Sequence, residues 1–316
     1  MGKRHGDIDK SKNKVNLFLD SGAFSAWTRG VEINIWDYIE FIKQHEDALE
    51  VYANLDVIGD HREDKRIAAE KTFQNQKIME EAGLSPLPVF HVGEPFEYLT
   101  YYVTKYDYIG LGGMVGVPKA TLLPWLDECF EKYICDIRGI PRIKVHGFGM
   151  TSFWAMFRYP WFSVDSTSWV KTGRMGSIYV PRFKDGKWDY RKDPWKIAVS
   201  SQSSTAKEVG KHITSISPRQ RQIVLDYIHA KGYTLGKSRF KEVDQSYKLK
   251  KNEQWFGKKP KDKNAKRIVE VIEEPGVCNM HQFRDELNII YFQDLERHMP
   301  EWPWPFKKEQ KVQGFF

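Results

Sequence analysis

Cysteine is scarce in this chain of 316 residues: Cys129, Cys135 and Cys278 are the whole supply. So few thiols exclude a disulfide framework and suit a reducing compartment. Cys129 lies in an amphipathic stretch and reads as a small core residue. Long apolar runs are also missing, so no segment is expected to span a bilayer. The first residues, MGKRHGDIDKSKNK, are charged where a signal peptide is apolar. Gly6 stands where a myristoylation signal needs Ser or Thr. We therefore expect a cytoplasmic protein with no membrane partner. The nine histidines show no HExxH spacing. GLGGMVG lacks the Lys and Ser/Thr of a P-loop, and no GxGxxG opens a helix after the first strand. Zincin, P-loop nucleotidase and dinucleotide-binding chemistry are disfavoured.

What is present is enough apolar material, 41% hydrophobic and 14% aromatic, for one large domain or one with a small appendage. Short apolar strands alternate with amphipathic helices through the first half. Strands are expected at 15–22, 49–59, 86–93, 107–113, 142–149 and 161–168. Helices are expected at 34–47, 61–83, 95–106, 119–136 and 151–159. Ile35, Tyr38, Ile39 and Ile42 set the buried face of the first helix, and Gly83 closes the second. Such alternation implies a parallel sheet with crossover helices. The strands end in polar or glycine-rich tips: DSG, NLD, HVG, GLGG, HGFG and DSTS. In an α/β (β/α)8 TIM-barrel-like fold these tips converge on the face that carries the active site. A doubly wound open sheet is the alternative.

The pattern breaks after residue 176. The expected division is therefore 1–176, six β/α units carrying the site, and 177–316, which would complete the barrel with strands seven and eight and add a basic insertion. Residues 176–193 read as a hairpin turning at 184–187, and 217–232 and 279–297 as helices. PEWPWPF at 300–306 cannot be regular helix. Net charge is +7, and residues 237–267 alone hold twelve basic and four acidic residues, a local balance of +8. Phe240, Tyr247, Trp255 and Phe256 are interleaved there. Lysines neutralise phosphates and aromatic rings stack on bases. A solvated loop pinned by its aromatics gives the same composition.

Three acids sit at strand tips: Asp20, Asp56 and Asp165. Any one of them taken alone reads as a helix cap. Three on one face point to a catalytic cluster, because paired carboxylates suit glycosyl transfer with retention. The nucleophile must stay ionised, and the acid/base needs an intermediate pKa. His146 reads as an orienting residue, and Phe153, Trp154 and Phe157 as a packed helix face.

At these residues the chain resembles the tRNA-guanine transglycosylases. DSGAFS is similar to their Asp-Ser-Gly-Gly-Phe-Gln motif, YIGLGGMVG to their Gly-Gly-Leu-Ala-Val-Gly segment and VHGFGM to their His-Leu-Met-Gly-Val-Gly strand. VDSTSWVKTGRMG is similar to their Phe-Asp-Cys-Val-x-Pro-Thr-Arg nucleophile segment. The four occur in family order over residues 15–176. The resemblance implies Asp165 as nucleophile and Asp20 as general acid/base, with Ser21 near the base. It places Asp56 on the guanine N1/N2 edge, His91 where the family has a base-binding glutamine, and Gly112 and Gly113 with N–H groups toward O6.

Lys171, Arg174, Lys248, Lys250, Lys251, Lys258 and Lys259 would meet nucleic-acid phosphates. Trp169, four residues after the nucleophile, is a candidate wedge or a half-buried loop aromatic. The family's Cys-x-Cys-x2-Cys and distant His are absent, and Cys278 and His281 supply only two ligands, so no zinc and no cofactor is expected. These departures look more like the 7-deazaguanine DNA transglycosylases, many of them phage-encoded, which would place the protein in a host cytoplasm. The expected reaction is exchange of guanine in DNA for a 7-deazaguanine base such as preQ0. The alternatives are a zinc-free enzyme acting on tRNA and a non-catalytic nucleic-acid-binding subunit.

Overall fold

Apolar runs that end in polar tips become parallel strands, with helices between them, through the first half of the chain. The computed structural model describes residues 17–59, 65–203, 208–262 and 264–306. The charged N-terminal segment, residues 15 and 16 of the expected first strand and residues 61–64 of the expected second helix lie outside them.

Strand β1 (Leu17–Leu19) leads into two helices, α1 (Ala23–Arg29) and α2 (Ile35–His45). Asn34 caps α2, its side chain accepting from the Trp36 and Asp37 N–H groups. Tyr38, Ile39 and Ile42 form the buried face of α2. That face packs with residues of β2 (Leu49–Tyr52) and α3 (Lys65–Glu81) in one apolar cluster that includes Tyr52, Leu55 and Met79. Next come β3 (Val89–His91), α4 (Phe96–Lys105), β4 (Tyr108–Gly112) and α5 (Lys119–Glu128). Pro124 lies inside α5, and the helix then widens into a π-helical turn over Cys129–Ile134. The alternation ends with β5 (Lys144–Gly147), α6 (Phe153–Arg158) and β6 (Ser163–Val164).

Strand β1 pairs parallel with β2. A parallel bridge from Ala53 to Leu87 carries the order on to β3, and β3, β4, β5 and β6 form one parallel sheet. Sequence order is thus spatial order, without the reversal that defines a doubly wound sheet. β3 is wholly buried and β4 nearly so, as strands covered on both faces are.

The pairing changes after β6. Helix α7 (Ser168–Arg174) is followed by β7 (Ser177–Val180), β8 (Arg182–Lys184), β9 (Lys187–Asp189) and β10 (Trp195–Ala198). The expected hairpin is β8 with β9, turning on Asp185 (φ 50°) and Gly186 (φ 75°), both left-handed as a two-residue turn requires. β7 pairs antiparallel with β10. Helix α8 (Pro218–Ala230) opens on a capping box of Ser217 and Gln220. The basic stretch contains three strands joined by exposed connections: β11 (Lys237–Val243), β12 (Glu253–Phe256) and β13 (Arg267–Glu274) pair antiparallel in the order β11-β13-β12. Helix α9 (His281–Arg297) follows. Every named strand after β6 pairs antiparallel, and no closed ring of strands is seen among the described residues.

The chain divides into two compact units: Met1–Met150 with Arg158–Asp165 and Glu301–Phe316, and Thr151–Phe157 with Ser166–Pro300. The core of the second unit gathers Ile178 and Val180 from β7, Ile197 from β10, Tyr227 and Ile228 from α8 and Leu287 from α9. Among the described residues no helix is long and apolar enough to cross a membrane.

Candidate active site

In the first unit, Asp20 and Ser21 follow β1, Asp56 follows β2, His91 ends β3 and Gly112 ends β4. His146 lies in β5 and Asp165 follows β6. Because the strands run parallel, these are all carboxyl-end positions. Two groups of side chains result, and Asp20 feels both.

The first is a chain of four. Ser21 Oγ donates to Asp56 Oδ1 at 2.6 Å, and His91 Nε2 lies 2.9 Å from Asp56 Oδ2. On its other side His91 Nδ1 lies 3.0 Å from Glu94 Oε1, and the His91 backbone N–H donates to Glu94 Oε2 at 2.9 Å. Burial alone lowers a histidine pKa, but the Glu94 charge and the hydrogen bonds to Asp56 and Glu94 outweigh it and push His91 up to about 10. His91 is therefore an imidazolium donating from both nitrogens. For Asp56 burial acts upward, yet His91 and Ser21 hold its carboxyl below the ordinary value. Gly112 is required here by packing: a Cβ at that position would lie 2.9 Å from the His91 ring.

The second group surrounds Asp165. Gly149 N–H donates to its Oδ1 at 2.8 Å. His146 Nε2 stands 3.5 Å from the same oxygen, within ion-pair reach but without hydrogen-bond geometry. His146 is oriented by Ser163, whose hydroxyl lies 2.6 Å from Nδ1 and 2.6 Å from the Tyr108 hydroxyl. Phe18 of β1 stacks on the His146 ring with centroids 4.4 Å apart. Partial burial acts upward on Asp165, but His146 and the Gly149 N–H hold its carboxyl below the ordinary value.

Asp20 moves the other way. Partial burial raises it, and the negative charges of Asp56 and Asp165 add to the rise, against the Gly22 and Ser21 N–H groups. Two acids at strand tips, within electrostatic reach of each other, are thus biased in opposite senses, as an acid/base and a nucleophile need to be.

The structure brings together Asp20, Ser21, Asp56, His91, Gly112 and Asp165 within one unit. Gly113, the next residue after β4, has φ 69°, and a Cβ there would lie 3.3 Å from His91 Cβ and the Val92 nitrogen. Sequence reasoning missed Glu94, Ser163, Tyr108 and Phe18. Glu94 had a signal, its place three residues after His91; the others depend on pairing between strands.

The basic residues belong to the second unit. Lys171 and Arg174 are exposed on α7, and Trp169 there is half-buried. Lys248, Lys250, Lys251, Lys258 and Lys259 are exposed, and none forms an ion pair among the described residues. Two aromatics of the stretch are already engaged. The Arg267 guanidinium lies 3.6 Å from the Trp255 ring centroid, and Lys241 Nζ lies 4.5 Å from that of Tyr247. Phe240 is exposed, edge-on to Phe256.

The residues present do not fit a structural zinc of the family's kind. The half-buried Cys278 thiol is pushed up to about 11 by burial, with Glu270 adding to the rise, where a structural zinc needs a thiolate among four ligands. Among the described residues no group of three or more His, Cys, Asp or Glu is placed to hold a metal. No family model, curated protein or solved structure matches this chain.

Proposed function

We propose that this protein is a transglycosylase that exchanges guanine in DNA for a 7-deazaguanine base such as preQ0, working on a TIM-barrel-like scaffold. The observation that carries the proposal is the opposite bias of Asp20 and Asp165, close enough in space for one to raise the other. Six parallel strands in sequence order favour the barrel over a doubly wound sheet. In a flat sheet β1 and β5 would stand about 19 Å apart, four spacings of roughly 4.8 Å. Phe18 nevertheless stacks on His146, so the strands curl toward each other.

In the reaction, an Asp165 oxygen attacks C1′ of a deoxyguanosine on the face opposite the base. The C1′–N9 bond breaks, and guanine leaves with a proton from Asp20. The incoming base returns its N9 proton to the Asp20 carboxylate and attacks C1′, releasing Asp165. Two inversions give retention. His146 and Gly149 keep the nucleophile ionised. Asp56 is held by Ser21 and His91, and its remaining lone pairs accept from the N1–H and N2–H edge of the purine. The target base must leave the helical stack to reach these groups. Exposed lysines of the second unit supply phosphate contacts.

Incubation with labelled preQ0 or guanine and either duplex DNA or tRNA tests the proposal. A covalent DNA adduct on a denaturing gel, lost in Asp165→Ala, is the expected result. Exchange by that variant at the wild-type rate would remove the mechanism, and incorporation into tRNA alone would move the substrate to tRNA.

A further inference from the structure

The second unit contains a cavity of about 430 Å³ that the exchange chemistry does not use. Its wall includes the start of α9, with Asn279, His281 and Arg284, and the end of α7, with Arg174. We infer that this cavity is a phosphate-binding pocket that takes the phosphate group of a nucleotide. The inference stands on the second unit alone and does not rest on the exchange reaction.

Arg284 is the central observation. It is 5% exposed, and its Nε and Nη1 are fixed by the Gly173 and Val277 carbonyls at 2.6 and 2.7 Å. Its remaining nitrogen, Nη2, has no hydrogen-bond partner among the described residues, and the residue lines the cavity. Glu270 and Asp285 are near enough to favour its charge, but neither pairs with it. A guanidinium so buried is costly unless a ligand brings the counter-charge. Two carbonyls set its orientation in advance, which suits the fork-like recognition of phosphate by arginine.

Two further features point the same way. Arg174, exposed at the rim, forms no ion pair among the described residues. Helix α9 runs for 17 residues, and neither a side-chain cap nor an acidic residue occupies its first turn, so its positive dipole end stands unopposed beside the cavity.

The amide side chains of the wall compete little for this role. Gln254 gives its N–H groups to Glu270 and the Asn279 carbonyl. Asn279 gives its own to Lys237, Ser238 and Glu274. The donors left without a partner among the described residues include the arginines, the exposed His281 ring and the Ser200 hydroxyl, while Gln254 Oε1 remains an acceptor. The volume exceeds that of a bare phosphate and falls in the range of small-molecule pockets, about 300–1,000 Å³.

Calorimetric titration of the full chain with inorganic phosphate, dGMP and deoxyguanosine reads the pocket. Phosphate and dGMP should bind above a sodium chloride control of equal ionic strength, with deoxyguanosine at least roughly ten-fold weaker than dGMP. Arg174→Ala, an exposed change that leaves the core intact, should weaken dGMP about ten-fold. Arg284→Lys keeps the charge but loses the fork, and it should weaken dGMP by a similar factor in protein that still melts cooperatively. Competition of labelled dGMP by an oligodeoxynucleotide then separates the sources: displacement assigns the pocket to a strand, and its failure to a free nucleotide. The inference is overturned if phosphate and dGMP give no more heat than chloride, or if Arg174→Ala and folded Arg284→Lys bind dGMP as the wild type does.

Discussion

In the first unit the carboxylates at two strand tips have fixed partners: Ser21 and His91 hold both oxygens of Asp56, and Gly149 holds one oxygen of Asp165. In the second, the lysines between residues 248 and 259 stand exposed without acidic partners among the described residues, in the connections on either side of β12. The contrast separates two uses of charge. Bond-making chemistry needs each group fixed in one protonation state, which partners enforce. Backbone recognition needs cations whose only counter-charge is the ligand, because the gain comes from releasing that ligand's own ions.

The sharpest way to break this comparison is Asp165→Ala. Base exchange should fall by roughly 10⁴-fold or more, since only binding effects remain when a nucleophile is removed. Thermal stability should hardly change, because about half of that side chain is exposed. His91→Ala should differ by costing stability as well. It leaves Asp56 and Glu94 without the cation between them, and urea unfolding should show a loss of about 3–5 kcal/mol, the cost of breaking a buried charge pair. If that variant proves as stable as the wild type, the chain of four is an exposed contact and not a buried network.

Replacing Lys248, Lys250 and Lys251 together should weaken DNA binding about equally for all sequences and lower the slope of log affinity against log salt by roughly 0.9 per lost contact. Sequence-dependent weakening would assign these lysines to the bases instead.

The comparison can also be sharpened through pH dependence. His91 sits at about 10 in the folded chain against an ordinary value of 6.5, so its contribution is complete below 6.5 and is lost as pH rises toward 10. Asp56 is depressed, so its contribution is present above its ordinary value of 3.8 and is lost as pH falls through the lower folded value. Stability measured across this span should therefore decline on the alkaline side, and His91→Gln should remove that decline. The proposed reaction needs Asp165 ionised and Asp20 protonated, so its first half should slow as pH rises past the elevated Asp20 value.

Most of the first unit was legible because each apolar run stops at a polar tip, and the tips DSG, NLD, HVG, GLGG, HGFG and DSTS mark the strand ends. Two short helices, α1 in that unit and α7 in the second, were not. Each of α1 and α7 has seven residues and no side-chain cap, so neither the start signal nor the length needed for a periodicity was available. The sheet β11-β13-β12 was hidden by its own lysines, which read as a charge run before they read as alternation. Glu94 was overlooked because its value lies in the imidazole it faces and not in any motif. The pocket around Arg284 draws its wall from residues between 174 and 284, a spacing that no local pattern reports.

The stacked rings of Phe18 and His146 have a mechanical consequence. Phe18 lies two residues before Asp20, and His146 stands 3.5 Å from Asp165, so a single aromatic contact links the strand that carries one proposed reacting group to the ring beside the other. Trimming it with Phe18→Ala leaves both acids in the chain yet frees the gap between them, and the two titrations should then drift back toward independent behaviour.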